Sequence, residues 1–299
     1  MTYDEVGTWF GRTYPPGAVV LGYNGTAHAE NALLWAVDEA ERLDVPLVVV
    51  YAANYPGMTI EPGPGLLHRD PDALAAAQEV TARGVALAVA ARPGLRVFGA
   101  TEVESPTRAL VDAEDQAALV VIGSRGYGQV VGALLGSVAF AVAAKAPCPV
   151  IVVKDESVDR RPGPDHRVVV GTDGSPPAQA AVRFAASRAA TCGASVEVVT
   201  STGGHLVENV DESQLRAGAE RIATDAAAAV MRAHPSVHVT TRVEDCPAER
   251  TLVDASADAG LLVVGTRGRG AFRGMLLGSV SHAVIHGARC AVAVVDETA

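Results

Sequence analysis

The stretch that decides the fold is residues 263–280, Val-Val-Gly-Thr-Arg-Gly-Arg-Gly-Ala-Phe-Arg-Gly-Met-Leu-Leu-Gly-Ser-Val. It recurs at residues 121–138 as Val-Ile-Gly-Ser-Arg-Gly-Tyr-Gly-Gln-Val-Val-Gly-Ala-Leu-Leu-Gly-Ser-Val. Both copies contain Gly-x-x-Gly, then nine residues, then Gly-Ser. Self-similarity with conserved spacing is typical of repeated supersecondary units. The sequence therefore predicts two copies of one domain.

The two halves also begin alike. Residues 19–26 read Val-Val-Leu-Gly-Tyr-Asn-Gly-Thr, and residues 168–175 read Val-Val-Val-Gly-Thr-Asp-Gly-Ser. Between the halves, residues 154–167 are rich in Asp, Arg, Pro and Gly, which is typical of a solvated linker. A chain of 299 residues is also long enough for two cores. We place the boundary near Val158 and predict domains 1–157, with an N-terminal extension 1–17, and 158–299.

Within each half, short β-branched runs alternate with alanine-rich segments, a pattern that favours βα units and a parallel sheet. Near-continuous valine runs indicate strands that are buried on both faces. We predict an α/β fold in which each half is a doubly wound, five-stranded parallel sheet with flanking helices. The predicted strands cover residues 18–23, 47–53, 96–101, 118–123 and 149–153 in the first half, and 167–172, 195–201, 238–243, 261–265 and 291–295 in the second.

The segment after each first strand has apolar residues three and four apart, which predicts a helix with one face on the sheet. The residues on that face are Ala29, Leu33, Ala36, Val37, Ala40, Ala178, Val182, Ala185 and Ala186. Residues 54–72 are rich in proline and glycine, and we expect a surface loop there, with a lid as one role.

Composition excludes several function classes. A net charge of -10 opposes binding to a phosphate backbone, so we expect no nucleic-acid partner. Neither lysine, Lys145 or Lys154, lies in a Walker-type loop. The N-terminus lacks a basic start and an apolar stretch, and the apolar segment 130–144 is interrupted and short. We expect no export, no membrane span and a cytoplasmic location.

Residues that could bind metals or catalyse hydrolysis are sparse. The four cysteines form no Cys-x-x-Cys pair, and Cys148 and Cys290 fall at equivalent places before valine runs, which favours packing. The histidine pairs 282/286 and 234/238 have no acidic or thiol ligand nearby in sequence. No Gly-x-Ser-x-Gly elbow is present. We predict no metal site and no catalytic residue.

The glycine loops carry the main chemical signal. Each follows a predicted buried strand, at the carboxyl edge where open α/β sheets bind ligands. Glycine allows a close backbone approach to a ligand. The Gly-Ser pair begins an apolar helix, whose backbone N–H groups and dipole favour an anion. The two loops therefore predict two phosphate cradles.

This combination of glycine loop and first strand resembles the ATP-binding subset of the universal stress protein family, in a tandem form that covers nearly the whole chain twice. The resemblance implies an adenine nucleotide alpha hydrolase-like fold with strand order 3-2-1-4-5 in each half. It also implies that the halves pair through their last strands as an internal pseudo-dimer, with a homodimer as a further option.

The resemblance further implies which residues bind ATP, with Mg²⁺ as an optional partner of the phosphates. Adenine and ribose would lie near the ends of the first two strands, and the phosphates on the glycine loop. The first site would use Gly22, Asn24, Thr26, Ala52, Gly123, Gly126, Gly136, Ser137 and Val138. The second would use Gly171, Asp173, Ser175, Ser201, Gly265, Arg267, Gly268, Gly278, Ser279 and Val280.

The two sites differ in charge. The aspartate of the family motif is present as Asp173, but its counterpart is Asn24, which lacks the charge that could help to hold a divalent cation. The second loop carries three arginines where the first has Arg125; they are Arg267, Arg269 and Arg273. A solvated basic loop is the alternative interpretation of these arginines. We predict that the second site binds ATP more tightly.

Three functions remain open from the sequence. The leading one is an ATP-binding regulatory or stress-adaptation protein, whose bound nucleotide alters its binding to a regulatory protein partner. The second is a slow nucleotide hydrolase or adenylyl-transferring enzyme. The third is a nucleotide-free interaction module with degenerate loops.

Overall fold

A computed structural model describes residues 14–52, 71–112, 117–126, 135–157, 159–203, 211–270 and 276–298. The chain divides into two compact units. The first includes the described residues from 14 to 126 and Gly136–Val142, and the second includes Leu135 and runs from Ala143 onward. The domain boundary at Val158 stays a prediction, because the second unit also includes the last strand of the first repeat.

In the first unit, the strands are β1 (Ala18–Gly22), β2 (Leu47–Ala52), β3 (Val97–Glu102) and β4 (Ala117–Gly123), in the spatial order β3-β2-β1-β4. All three pairings are parallel. The helices are α1 (Ala27–Leu43), α2 (Pro71–Ala91), α3 (Pro106–Val111) and α4 (Ser137–Lys145), of which α4 ends in the second unit.

In the second unit, the strands are β5 (Val150–Val153), β6 (Arg167–Gly171), β7 (Val196–Ser201), β8 (Val239–Glu244), β9 (Ala259–Gly265) and β10 (Ala291–Val295). Their order is β5-β10-β9-β6-β7-β8. The helices are α5 (Pro176–Cys192), α6 (Glu212–Ala233), α7 (Ala248–Ala255) and α8 (Ser279–Gly287). The order 3-2-1-4-5 is thus confirmed for the second repeat.

The last strands of the two repeats pair with each other, as predicted. β5 is antiparallel to β10, with Ile151 opposite Ala293, whereas β10 is parallel to β9. Both strands are buried along their whole length. Pairing satisfies the edge hydrogen bonds of two apolar strands that would otherwise invite aggregation.

Burial explains why the valine runs form strands. Every residue of β5, β9 and β10 is buried, and the predicted inward residues of α1 and α5 are buried as well. α1 begins after Thr26, whose side chain accepts a hydrogen bond from the Ala29 N–H, and α5 begins with proline and ends at Gly193 in the left-handed region. The central strands are therefore covered by helices, as a buried parallel sheet requires, whereas the edge strand β8 keeps exposed residues.

One helix of the first unit is unusually apolar. Among the described residues, Asp72–Ala91 in α2 is the helix that is long and apolar enough to cross a membrane by length and composition. One side of α2 packs against β2 and β3, and 22% of this apolar segment is buried. Residues 54–70 of the predicted surface loop lie outside the described residues. The last two residues of that predicted loop, 71 and 72, instead begin α2.

Candidate functional site

A cavity of about 480 Å³ lies at the carboxyl ends of β6, β7 and β9. Its volume is in the range of small-molecule sites. All the predicted second-site residues except Ser175 line it; they are Gly171, Asp173, Ser201, Gly265, Arg267, Gly268, Gly278, Ser279 and Val280. Strand ends at a switch in strand order are where open α/β sheets bind ligands. The structure thus brings together residues that are up to 109 positions apart in sequence.

Asp173 connects the end of β6 to the glycine loop. Its Oδ1 accepts a hydrogen bond from the Ser175 N–H at 2.9 Å, and its Oδ2 accepts one from the Arg269 N–H at 2.7 Å. Burial is the largest influence on the Asp173 pKa and raises it, but the hydrogen bonds from Ser175 and Arg269 outweigh it and lower the pKa below its usual value. The carboxyl group is therefore ionised at neutral pH.

The glycine loop lies against this carboxylate. A Cβ at Gly268 would lie 2.5 Å from Asp173 Oδ2, so the loop approaches β6 as closely as a glycine allows. Gly174, which follows Asp173, has a φ of +78°. Glycine is therefore required at residue 268 by the close approach to Asp173, and favoured at residue 174 by its left-handed backbone. The spacing of the glycines in the sequence does not reveal this contact between the end of β6 and the glycine loop.

The start of α8 closes the cradle. The Gly278 N–H donates to the Thr266 carbonyl at 2.8 Å, so it is not available to a ligand. Gly278 is the N-cap, and the following N–H groups of Ser279 and Val280 belong to the first turn, which lacks intrahelical acceptors. Ser279 is exposed, and its hydroxyl adds a further donor. This arrangement can bind an anion at the positive end of the helix dipole.

Two cationic side chains border the cradle. Arg267 lines the cavity, and its side chain is 47% exposed, with Nη2 lying 3.7 Å from Asp296 Oδ2. Arg269 is exposed, and its Nη2 would lie 2.8 Å from a Cβ at Gly174. The third predicted arginine, Arg273, lies outside the described residues.

The other end of the cavity is formed by β7 and α7. Ser201 lines it, and its hydroxyl donates to the Cys246 carbonyl just before α7. Sequence reasoning missed the α7 residues Ala248, Thr251 and Leu252, which also line the cavity. Leu252 lies close to Gly171, where a Cβ would meet its Cδ1 at 2.8 Å. Thr251 and Leu252 are buried on one side of α7, and no local sequence signal marks them as part of this wall.

The first site shows the same framework around an amide. Asn24 Oδ1 accepts hydrogen bonds from Thr26 Oγ1 at 2.7 Å and Thr26 N–H at 3.2 Å. A Cβ at Gly126 would lie 3.4 Å from Asn24 Nδ2, and the Gly136 N–H donates to the Ser124 carbonyl at 2.8 Å.

The remaining predicted residues of the first site follow the same plan. Gly22 and Gly123 end β1 and β4, Ala52 ends β2, and Ser137 and Val138 begin α4. Residues 127–134, including the counterpart of Arg269, lie outside the described residues.

The cysteines and histidines that the sequence set aside lie elsewhere. Cys290 is fully buried, and burial raises the pKa of its thiol to about 12. His282 and His286 share a face of α8 with ring centroids 4.7 Å apart. Within the described residues, no group of three or more His, Cys, Asp or Glu is placed to bind a metal.

The comparisons with known proteins agree with this architecture. A family model described as the universal stress protein family matches residues 17–154 and 166–296. The chain belongs to the universal stress protein family. A universal stress protein of Mycobacterium tuberculosis strain H37Rv is 36% identical over 296 residues, which covers 94% of this chain and 97% of that relative. The chain is therefore a tandem universal stress protein, as the resemblance of its motifs implied.

Solved universal stress proteins share the fold. One from Archaeoglobus fulgidus is 21% identical, with a TM-score of 0.65, and the match covers 95% of this chain and 100% of that chain. A shorter one from Archaeoglobus fulgidus, described in complex with dAMP, is 29% identical, with a TM-score of 0.37, and the match covers 46% of this chain and 97% of that chain. The first comparison supports the α/β fold of the whole tandem chain.

Proposed function

We infer that this universal stress protein binds ATP and acts as a nucleotide-dependent regulatory or stress-adaptation protein in the cytoplasm. One observation carries this proposal: a cavity of about 480 Å³ is lined by glycines, by a helix N-terminus and by Arg267 at one end, and by β7 and α7 at the other. The first end suits phosphates, and the second suits a base and a sugar.

The residues present fit such a ligand. The N–H groups of Ser279 and Val280, the Ser279 hydroxyl and Arg267 would hold the phosphates, while the backbone of Ser201 and the apolar side chains of Val199 and Leu252 would border the base. Mg²⁺ usually binds one or two carboxylates together with substrate phosphates. Asp173 offers one ionised carboxylate at the cradle, so Mg²⁺ would be held jointly with the phosphates.

The experiment that tests this proposal is to denature freshly purified protein and to count the released nucleotides by chromatography and mass spectrometry. ATP at one or two molecules per chain supports the proposal. Sustained release of ADP or AMP during incubation with ATP supports the slow enzyme instead. If no nucleotide is released and titration with ATP and Mg²⁺ shows no binding, the chain is an interaction module.

We also propose that the second site binds ATP more tightly than the first. The second site carries an acidic residue, Asp173, where the first has Asn24. Among the described residues, its loop also carries two arginines, Arg267 and Arg269, where the first loop has Arg125 alone. Equilibrium titration of Gly268→Asp and Gly126→Asp tests this difference. The Gly268 variant should lose the tighter of the two binding events, and equal losses would refute the ranking.

A further inference from the structure

Asp296 places a carboxylate beside the proposed phosphate cradle. It follows β10 directly, and its Oδ2 accepts a hydrogen bond from Thr266 Oγ1 at 2.9 Å. The Thr266 N–H also donates to the Val295 carbonyl at 2.9 Å. Thr266 lies between Gly265 and Arg267, which both line the cavity. The carboxylate is therefore held by the side chain of a residue that lies between two residues of the cavity wall.

The same oxygen lies near Arg267. Asp296 Oδ2 is 3.7 Å from Arg267 Nη2, and the Asp296 side chain is 18% exposed whereas the Arg267 side chain is 47% exposed. The carboxylate is thus held in place, while the guanidinium is on a long stem that reaches solvent. An anion in the cavity and the Asp296 carboxylate would attract the same guanidinium.

The first repeat has the opposite charge at this position. The closing valines of β5 are followed by Lys154, and those of β10 are followed by Asp296. The Lys154 ammonium donates to the His286 carbonyl at 2.7 Å. The residue after the last strand is therefore acidic in the second repeat and basic in the first, where it binds a carbonyl of α8.

We propose that Asp296 sets the affinity and charge preference of the second site by competing with the nucleotide phosphates for Arg267. This inference rests on the proposed binding of ATP at that site. Binding must draw the Arg267 guanidinium away from the Asp296 carboxylate, and the guanidinium contributes more to binding when the ligand carries more phosphates. The resulting loss of affinity grows with the number of phosphates, so Asp296 penalises ATP more than AMP.

The test uses the full chain with Gly126→Asp as the background, so that titration reports the second site. Asp296→Asn keeps an oxygen that can accept the Thr266 hydrogen bond and removes the charge. Glu297→Gln is the matched control, because it makes the same change in net charge at an exposed neighbouring residue. Thermal unfolding checks that each variant is folded, and Asp296→Ser replaces the Asn variant if that variant is unstable.

We expect Asp296→Asn to tighten ATP binding by about three- to fivefold over the Glu297→Gln control, as for a partly screened charge contact. The gain should be smaller for AMP. In an Arg267→Gln chain, which binds more weakly, the added Asp296→Asn change should have little effect.

Two results would overturn the inference while leaving ATP binding intact. One is an Asp296→Asn affinity equal to that of the control. The other is a gain that persists undiminished after Arg267→Gln, which would show that the carboxylate acts on the ligand without Arg267. If the unsubstituted chain binds no ATP at all, the proposed function fails, and this inference fails with it.

Discussion

Replacing Gly268 with alanine should disrupt the second site much more than replacing Gly126 disrupts the first. The new methyl group at residue 268 would lie 2.5 Å from Asp173 Oδ2, whereas the one at residue 126 would lie 3.4 Å from Asn24 Nδ2. The first separation is too short for any Cβ, and the second is close to ordinary contact. Neither glycine has a left-handed φ, so backbone strain does not distinguish the two substitutions.

The size of the effect follows from the hydrogen bond that must move. Asp173 Oδ2 accepts the Arg269 N–H at 2.7 Å, and relieving the clash displaces either this carboxylate or the loop. A hydrogen bond to a charged group contributes about 1.5–3 kcal/mol, and the lower value is appropriate because Asp173 is half-buried. About 1.4 kcal/mol corresponds to a tenfold change in affinity.

Calorimetric titration with ATP measures this difference. Gly268→Ala should weaken binding at one site by about tenfold, and Gly126→Ala should change binding at the other by less than about twofold. Hydrogen exchange of the Arg269 amide, read by peptide mass spectrometry, should increase in the Gly268 variant even without nucleotide. Equal effects of the two alanines, or an unchanged Arg269 amide, would refute the contact that underlies the argument.

Three further outcomes follow from other residues. Since hydrogen bonds lower the pKa of Asp173, its carboxylate stabilises the fold above the usual carboxyl pKa of about 3.9, and this contribution is lost as pH falls through the lowered pKa. Asp173→Asn should therefore lower the free energy of unfolding by about 1 kcal/mol at pH 7 in urea titrations, and the difference should shrink as the pH falls below about 3.9. A difference that stays constant with pH would contradict this. At pH 8 a thiol reagent should label the half-buried Cys192 and Cys246 but not Cys290, because burial raises the pKa of the Cys290 thiol to about 12. Peptide mass spectrometry identifies the labelled cysteines. Labelling of Cys290 in the native protein would contradict its burial. Gly174→Ala should cost about 1 kcal/mol in the same urea titrations, because the residue has a φ of +78°, and an unchanged midpoint would contradict that strain.

The sequence was sufficient for the fold because the repeat and the burial pattern point the same way. Valine runs such as Val150–Val153 are buried on both faces in the structure, as a helix-flanked parallel sheet requires. Predicted strand ends coincide with the observed ends or differ from them by at most two residues, which is the usual uncertainty of hydrogen-bond assignment at an element's end. The pairing of the two last strands followed from the resemblance and from the need to cover two apolar edges, and the structure adds that β5 and β10 are antiparallel.

The site was predicted less completely, because part of it depends on contacts that have no local sequence signal. The glycine spacing identified the cradle, but the α7 wall at Thr251 and Leu252 comes from a helix whose packing on β6 and β7 is a tertiary feature. The anchoring of Asp173 by the Arg269 N–H is a backbone contact across 96 residues. Asp296 has no motif at all, since only the β10 to β9 pairing brings it to the loop.

The contrast between the two repeats is strongest where charge meets the proposed phosphates. In the second cradle, the Arg267 guanidinium attracts a bound phosphate and the Asp173 carboxylate repels it. A divalent cation that binds both the carboxylate and the phosphates would remove this repulsion. Asp296 adds a second carboxylate on the Arg267 side. A site with two carboxylates and two arginines should bind ATP tightly only together with a divalent cation, whereas the Asn24 site should depend less on one. Titration of the Gly126→Asp and Gly268→Asp chains with ATP, with and without Mg²⁺, separates the two cases. Equal Mg²⁺ dependence at both sites would show that Asp173 serves the loop contact alone.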